Sequence, residues 1–180
     1  MIKKLKLLAR HLWLDASDTR RAVPPDLLER LTQRVAASER RHSGEIRICV
    51  ESSLPLSYLW RLSAQTTIAD LTRQRALAMF SKLRVWDTEQ NNGVLIYLLL
   101  AEHAIEIVAD RGLARHADPA QWREIVTHMT QAFQDKRYED GLTQALEETS
   151  AVLVAHFALD SLQTTSSPPS NELPDTPLLQ

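Results

Sequence analysis

The densest run of oxygen-bearing side chains is Asp87-Thr88-Glu89-Gln90-Asn91-Asn92-Gly93. Oxygens at alternate positions, 87, 89 and 91, resemble the first ligands of a calcium loop, and a hard cation prefers such donors. The full EF-hand pattern is missing. Counted from Asp87, Asn92 stands sixth, where that loop needs glycine, and Leu98 stands twelfth, where it needs a bidentate Glu. A second candidate is Asp110 in Asp110-Arg111-Gly112, an aspartate closing a predicted strand. There it can ligate a metal, act as an acid, or simply bond the backbone of its own turn. Asp87, Glu89, Asn91 and Asp110 are therefore the expected ligands if a divalent cation, calcium or magnesium, binds. The competing expectation is that these polar residues only cap helices and solvate turns.

No residue is assigned a catalytic role. The six histidines (11, 42, 103, 116, 128 and 156) lack an H-E-x-x-H or Cys/His ligand spacing. No G-x-S-x-G elbow occurs. Cys49 lies inside a predicted strand and is expected to be a small buried apolar group. Glu45 and Glu51 flank the same strand and are expected to be solvated. With four glycines (44, 93, 112 and 141), the chain has neither a G-x-G-x-x-G nucleotide fingerprint nor a Walker A loop. Those glycines are expected where the backbone turns, Gly44 stopping a helix and Gly112 closing a hairpin.

The elements that must position these residues follow from periodicity. Residues 1–13 read as a basic amphipathic helix with Ile2, Leu5, Leu8, Ala9 and Leu12 on one side. Pro24-Pro25-Asp26 opens a second helix with a stripe of Leu27, Leu28, Leu31 and Val35. Glu45–Glu51 alternates as a strand, with Ile46, Ile48 and Val50 on one face. Thr66–Leu83 reads as a helix. Val94–Ala101 is apolar throughout, as expected of a central strand covered on both faces. A turn at Glu102-His103 leads into the antiparallel strand AIEIVA. Asp118-Pro119-Ala120-Gln121 opens a helix carrying Trp122, Ile125, Met129 and Phe133. A last helix follows Gly141. The result is a three-layer α/β/α sandwich around a small mixed central sheet. The chain divides into a basic N-terminal segment (1–23), the domain proper (24–159) and a Ser/Thr/Pro-rich tail (160–180) expected to be disordered.

At 180 residues with a net charge of −2, the composition is that of one ordinary globular domain. The charge is uneven: residues 1–42 hold ten Lys/Arg against five Asp/Glu, while from Tyr138 onward there are seven acids and no Lys or Arg. The tryptophans 13, 60, 86 and 122 are not interleaved with a basic stripe, so no nucleic-acid partner is expected. Residues 1–13 suit either docking on the body or peripheral contact with an anionic membrane surface. The charge asymmetry and tail point to a protein partner. One cysteine, no signal peptide and no apolar run of membrane-spanning length lead to an expected cytoplasmic location, with peripheral contact at the inner membrane face.

The segments Ser43–Glu51, Ala78-Met79-Phe80, Val85-Trp86-Asp87, Asn91–Ile96, Asp110-Arg111-Gly112-Leu113 and Tyr138–Leu142, in this order and spacing, resemble the TPM domain family, also called the TPM phosphatase or YgcG-like family. The resemblance covers roughly residues 24–157. It implies an α/β/α sandwich with a site in the loops at the strand ends. It also implies links to acid phosphatase activity, divalent metals and the maintenance of membrane complexes. The family's Asp/Asn-Asn-Gly loop falls on Asn91, Asn92 and Gly93, and the turn after its hairpin on Asp110-Arg111-Gly112. Two departures stand out: Asn91 lacks the charge of the Asp found in many members, and Asp-Arg-Gly replaces a Gly-x-Gly-like turn. The sequence thus leaves two readings. One is a non-catalytic interaction module, acting at a membrane surface or in membrane-complex maintenance. The other is a metal-dependent phosphatase-like hydrolase, its ion held by Asp87, Glu89 and Asp110.

Overall fold

The computed structural model describes residues 2–116, 119–159 and 171–180. Three strands form the frame: β1 (Ile46–Glu51), β2 (Val94–Leu99) and β3 (Ala104–Ala109). β1 and β2 run parallel, with Ile46 opposite Val94 and Glu51 opposite Leu99. β3 returns antiparallel, with Ala109 opposite Val94. A 3₁₀ turn (Leu100–Glu102) makes the hairpin, closed by His103 in the left-handed region at φ 47°.

Helices cover both faces. On one lie α3 (Pro25–Glu39), α7 (Pro119–Gln134) and α8 (Tyr138–Phe157), whose Leu31, Val35, Met129, Phe133, Leu146 and Leu153 meet Ile46, Ile48, Val50 and Ile96 of the sheet. On the other lies α5 (Ile68–Lys82), whose Leu71, Ala76 and Met79 meet Cys49, Leu95, Tyr97 and Leu99. Every residue of β1 and β2 is buried, as expected of strands packed on both sides. The chain is the three-layer mixed α/β sandwich that the periodicity implied.

α1 (Ile2–Trp13) forms as expected but docks on the body by a face shifted from its expected stripe: Leu7 and Leu8 pack on the α5 side of the core, while Ala9 and Leu12 of that stripe are exposed. Its anchor is His11, which is buried, accepts from the Leu54 amide at Nδ1 (3.1 Å) and donates from Nε2 to Glu102 (3.0 Å). Leu12 and Trp13 remain exposed. α5 starts two residues later than the expected Thr66, because Thr67 and Asp70 close a capping box there. Three short helices escaped the sequence: α2 (Ala16–Ala22), α4 (Leu56–Leu59) and α6 (Arg111–Ala114). The last helix begins at Tyr138, so Gly141 lies within its first turn. The predicted Asp118 cap falls outside the described residues.

Two expectations about the first strand are overturned. Glu45 and Glu51 are buried, not solvated. Glu51 takes a bidentate pair from Arg75 (2.6 and 2.9 Å) and a hydrogen bond from the Tyr97 hydroxyl (2.6 Å), and these replace its lost hydration. Glu45 accepts from the Leu173 amide (3.1 Å). That contact reflects a second correction, since residues 171–180 are ordered on the sheet. Leu178–Leu179 form β4, parallel to β1, making the sheet order β3-β2-β1-β4. The predicted disorder of residues 160–170 lies outside the described residues.

The glycines also do something other than expected. None of the four has a positive φ; the left-handed positions belong instead to Arg84, Asn91, His103 and Lys136. At Gly93 and Gly112 the reason for glycine is close approach. A Cβ on Gly93 would lie 2.0 Å from the Val85 carbonyl oxygen, and one on Gly112 would lie 2.4 Å from the Asn91 carbonyl oxygen.

Candidate functional site

Gly93 and Gly112 bring two loops together where β2 begins and β3 ends. The Asp110 amide donates to the Gly93 carbonyl (2.9 Å), and the Gly112 amide to the Asn91 carbonyl (2.8 Å). These bonds extend the β2–β3 ladder and place the Asn91-Asn92 pair beside Asp110. The loop before them is fixed by Thr88, whose carbonyl accepts from the Asn91 amide (3.1 Å) and whose hydroxyl accepts from the Asn92 amide (3.1 Å).

Asn92 is fully buried. Its Nδ2 donates to the Ser43 hydroxyl (3.1 Å), which in turn donates to Gln90 Oε1 (2.7 Å). That relay fixes the amide and turns Oδ1 the other way, where it is buried with no partner. Asp110 caps α6: its Oδ1 accepts from the Arg111 amide (2.7 Å), while Oδ2 is also buried and unpartnered. Buried oxygens of this kind cost roughly 1–3 kcal/mol each when left without a partner. The two sit on loop ends joined by backbone bonds, and oxygen is the donor type that a hard cation takes.

Two of the other expected ligands are engaged elsewhere, and the third is exposed. Asn91, in the left-handed region at φ 52°, offers its Oδ1 to Arg111 Nε (2.9 Å) and its second guanidinium nitrogen (2.6 Å). Asp87 is exposed and pairs with Arg84 three residues before it. Glu89 is exposed. The structure thus joins Asn91 and Asp110 but not Asp87 and Glu89. It adds Asn92, which the resemblance had marked as part of the loop but not as a ligand. Among the described residues no group of three His, Cys, Asp or Glu side chains is placed to hold a metal, so an ion here would rely on one carboxylate and one amide oxygen.

One pairing has the look of a nucleophile and base. His42 Nδ1 donates to the Gly44 carbonyl (3.0 Å), which leaves Nε2 to accept from the Ser150 hydroxyl (3.1 Å). Ser150 also accepts from Arg41 (2.9 Å). Burial pushes the His42 imidazole down to about 4, so it is neutral. Both side chains are sealed in the core, at 1% and 0% exposure, where no substrate reaches them. The pair ties the end of α3 to α8. Cys49 is likewise inert, its thiol pushed up to about 12 by burial. A cleft of about 440 Å³ lies at the opposite end of β2, between Trp13, Leu100, His103 and Tyr138, and includes none of the residues above.

The family that this architecture defines is the TPM domain, which matches residues 17–152. The chain belongs to the TPM domain family. In fold it is similar to the BA42 protein of the psychrophilic bacterium Bizionia argentinensis, solved by NMR, with a TM-score of 0.66 at 21% identity over 83% of this chain and 90% of that one. That likeness shows the shared fold. No curated protein matches the sequence. Among the described residues no helix is long and apolar enough to cross a membrane.

Proposed function

We propose that this chain is a non-catalytic TPM binding module whose Asn92 and Asp110 hold a hard divalent cation, calcium or magnesium. The observation that carries the reading is the pair of buried, unpartnered oxygens, Asn92 Oδ1 and Asp110 Oδ2, on two loops joined by backbone bonds. An ion there would satisfy both and cross-brace the start of β2 with the end of β3, completing its shell with water. Polarisation of a phosphoryl oxygen is the further chemistry such an ion supplies when bound. The residues around it favour binding over hydrolysis. Asp110 would be a ligand, not a base, Arg111 is committed to Asn91, and the Ser150–His42 pair is sealed away.

Among the described side chains of residues 1–13, the end of α1 is what supports membrane contact. Leu7 and Leu8 face the body, which leaves Arg10, Leu12 and Trp13 at the surface.

Thermal unfolding with and without millimolar calcium or magnesium tests the cation reading. At a hundredfold excess over Kd, binding adds about 2.7 kcal/mol, or about 5–10 °C for a chain of this size. An unchanged Tm with both ions refutes it. Divalent-dependent turnover of a phosphomonoester, lost in folded Asp110→Asn, would replace the non-catalytic reading with the hydrolase.

A further inference from the structure

Among the described residues of the stretch shared with the family, 17–152, β1 is an edge strand: β2 lies on one side of it and none of them pairs with the other. The open side is filled by residues 171–180, which lie outside the match. Their docking is specific. The Gln180 amide donates to the Val50 carbonyl (2.9 Å), and the Ser52 amide to the Gln180 carbonyl (2.8 Å). Leu178 faces Cys49 and packs on the α5 side of the core, while Leu179 faces Val50 and packs on the α3 side, the alternation of a true strand. Leu173 is buried on the α5 side. Arg47, itself buried in β1, donates to the carbonyls of both Pro174 and Thr176.

These contacts read the backbone and three apolar side chains, which is how a sheet edge recognises an extended peptide. Asp175 accepts a hydrogen bond from Glu39, whose carboxyl burial pushes up to about 8, and lies close enough to Arg47 to attract it. Only two residues, Leu178 and Leu179, are paired in strand register. A ladder of two residues, beside the six paired residues of β1 and β2, is the part of the sheet that a partner strand can replace.

We infer that the β1 edge is a docking groove for an extended peptide of a protein partner, added parallel to β1 with apolar residues at the places of Leu173, Leu178 and Leu179, and that residues 171–180 are its intramolecular occupant. The segment is thus a strap that holds the groove closed until a partner strand displaces it. This rests on the reading of the chain as a binding module, and cation titration of the same proteins separates failure of the groove from failure of that reading.

The test uses the full chain. In Leu173→Asp/Leu178→Asp/Leu179→Asp the strap is disabled and the groove left intact. A fluorescein-labelled peptide of residues 171–180 is titrated by anisotropy into this variant and into the wild type. With a tethered strap at millimolar effective concentration as competitor, the variant binds about 100-fold more tightly than the wild type. A labelled peptide carrying the same three aspartates fails to bind. Equal binding to both proteins, or none to a variant with native circular dichroism, overturns the inference. A wild type that sediments as a dimer and a variant that sediments as a monomer also overturn it, since the groove would then hold the strap of a second copy. Hydrogen exchange on the unaltered protein gives an answer even if the variant does not fold. The Gln180 and Ser52 amides exchange at least about 100-fold faster than the Val94 amide, which bonds to Glu45 in the β1–β2 ladder. Exchange of all three at one rate means the strap opens only with the whole fold, which refutes exchange with a partner.

Discussion

Replacing Gly93 by alanine tests whether close approach, and not backbone freedom, fixes glycine at the start of β2. Gly93 has no positive φ, so alanine meets no backbone penalty there. Its Cβ would instead lie 2.0 Å from the Val85 carbonyl oxygen and 3.0 Å from Val85 Cγ1, whereas ordinary contact begins at 3.4 Å. Loop and strand would have to part by about 1.4 Å. Val85 has little room to retreat. Its side chain is fully buried, and its amide is bonded to the Phe80 carbonyl at the end of α5 (3.0 Å). Overpacking that flexible side chains absorb costs 1–3 kcal/mol, and a backbone obstacle places Gly93→Ala at the top of that range, about 3 kcal/mol. For this chain length that lowers Tm by about 6–12 °C. Gly44→Ala is the control. There the nearest atom, at 2.4 Å, is Leu153 Cδ2, the rotatable end of a side chain, and the expected loss is about 1 kcal/mol. Urea unfolding followed by circular dichroism gives both values, provided the slopes agree. If the two variants lie within about 0.5 kcal/mol of each other, close backbone approach does not explain Gly93.

Other consequences follow from the buried charges and the left-handed positions. Glu51→Gln removes the charge partner of a partly buried Arg75 and is expected to cost about 2–3 kcal/mol in urea unfolding; a loss below 1 kcal/mol would show that water reaches the pair. Burial, with Glu45 and Asp175 adding to it, pushes the Glu39 carboxyl up to about 8, so the folded state holds its proton where the unfolded state, near 4.5, releases it. Stability therefore falls as pH rises from 4.5 to 8, and the raised Glu45 acts in the same direction. His42, depressed from 6.5 to about 4, opposes this below pH 6.5, so the decline stands clear between 6.5 and 8. Glu39→Gln flattens it, and an unchanged slope would refute the assignment. Lys136, left-handed at φ 58° after α7, is expected to gain about 1 kcal/mol on replacement by glycine, read as a higher Tm; a lower Tm would refute strain there.

Much of the fold was legible because its elements are long and strongly patterned. The uniform apolar run of β2, the alternation of β1 and the stripes of α3, α5 and α7 each leave one interpretation. What escaped was short or compositionally plain. α4 and α6 are four residues each, too few for a period to show. The strap reads as tail because it is polar on average, yet three leucines and a row of backbone groups suffice to dock it. Glu45 and Glu51 look like solvated strand ends, since their partners Leu173, Arg75 and Tyr97 are distant in sequence. The candidate site was half legible. Asn91 and Asp110 are neighbours as the two motifs implied, but alternate spacing in a loop does not reveal that Arg84 draws Asp87 outward or that Arg111 occupies Asn91. Asn92 was passed over because burial of its amide oxygen is a tertiary property.

Binding of a divalent cation by Asn92 and Asp110 is open to direct measurement. Isothermal titration of calcium and of magnesium into the wild-type chain and into Asp110→Asn tests it most directly. One saturable site is expected for at least one of the ions, weakened at least about tenfold in a folded Asp110→Asn through loss of the only carboxylate in the pair, and unaffected by Asp87→Asn or Glu89→Gln. No saturable heat up to 10-millimolar order ion, or binding lost with Asp87 or Glu89 and indifferent to Asp110, would contradict it.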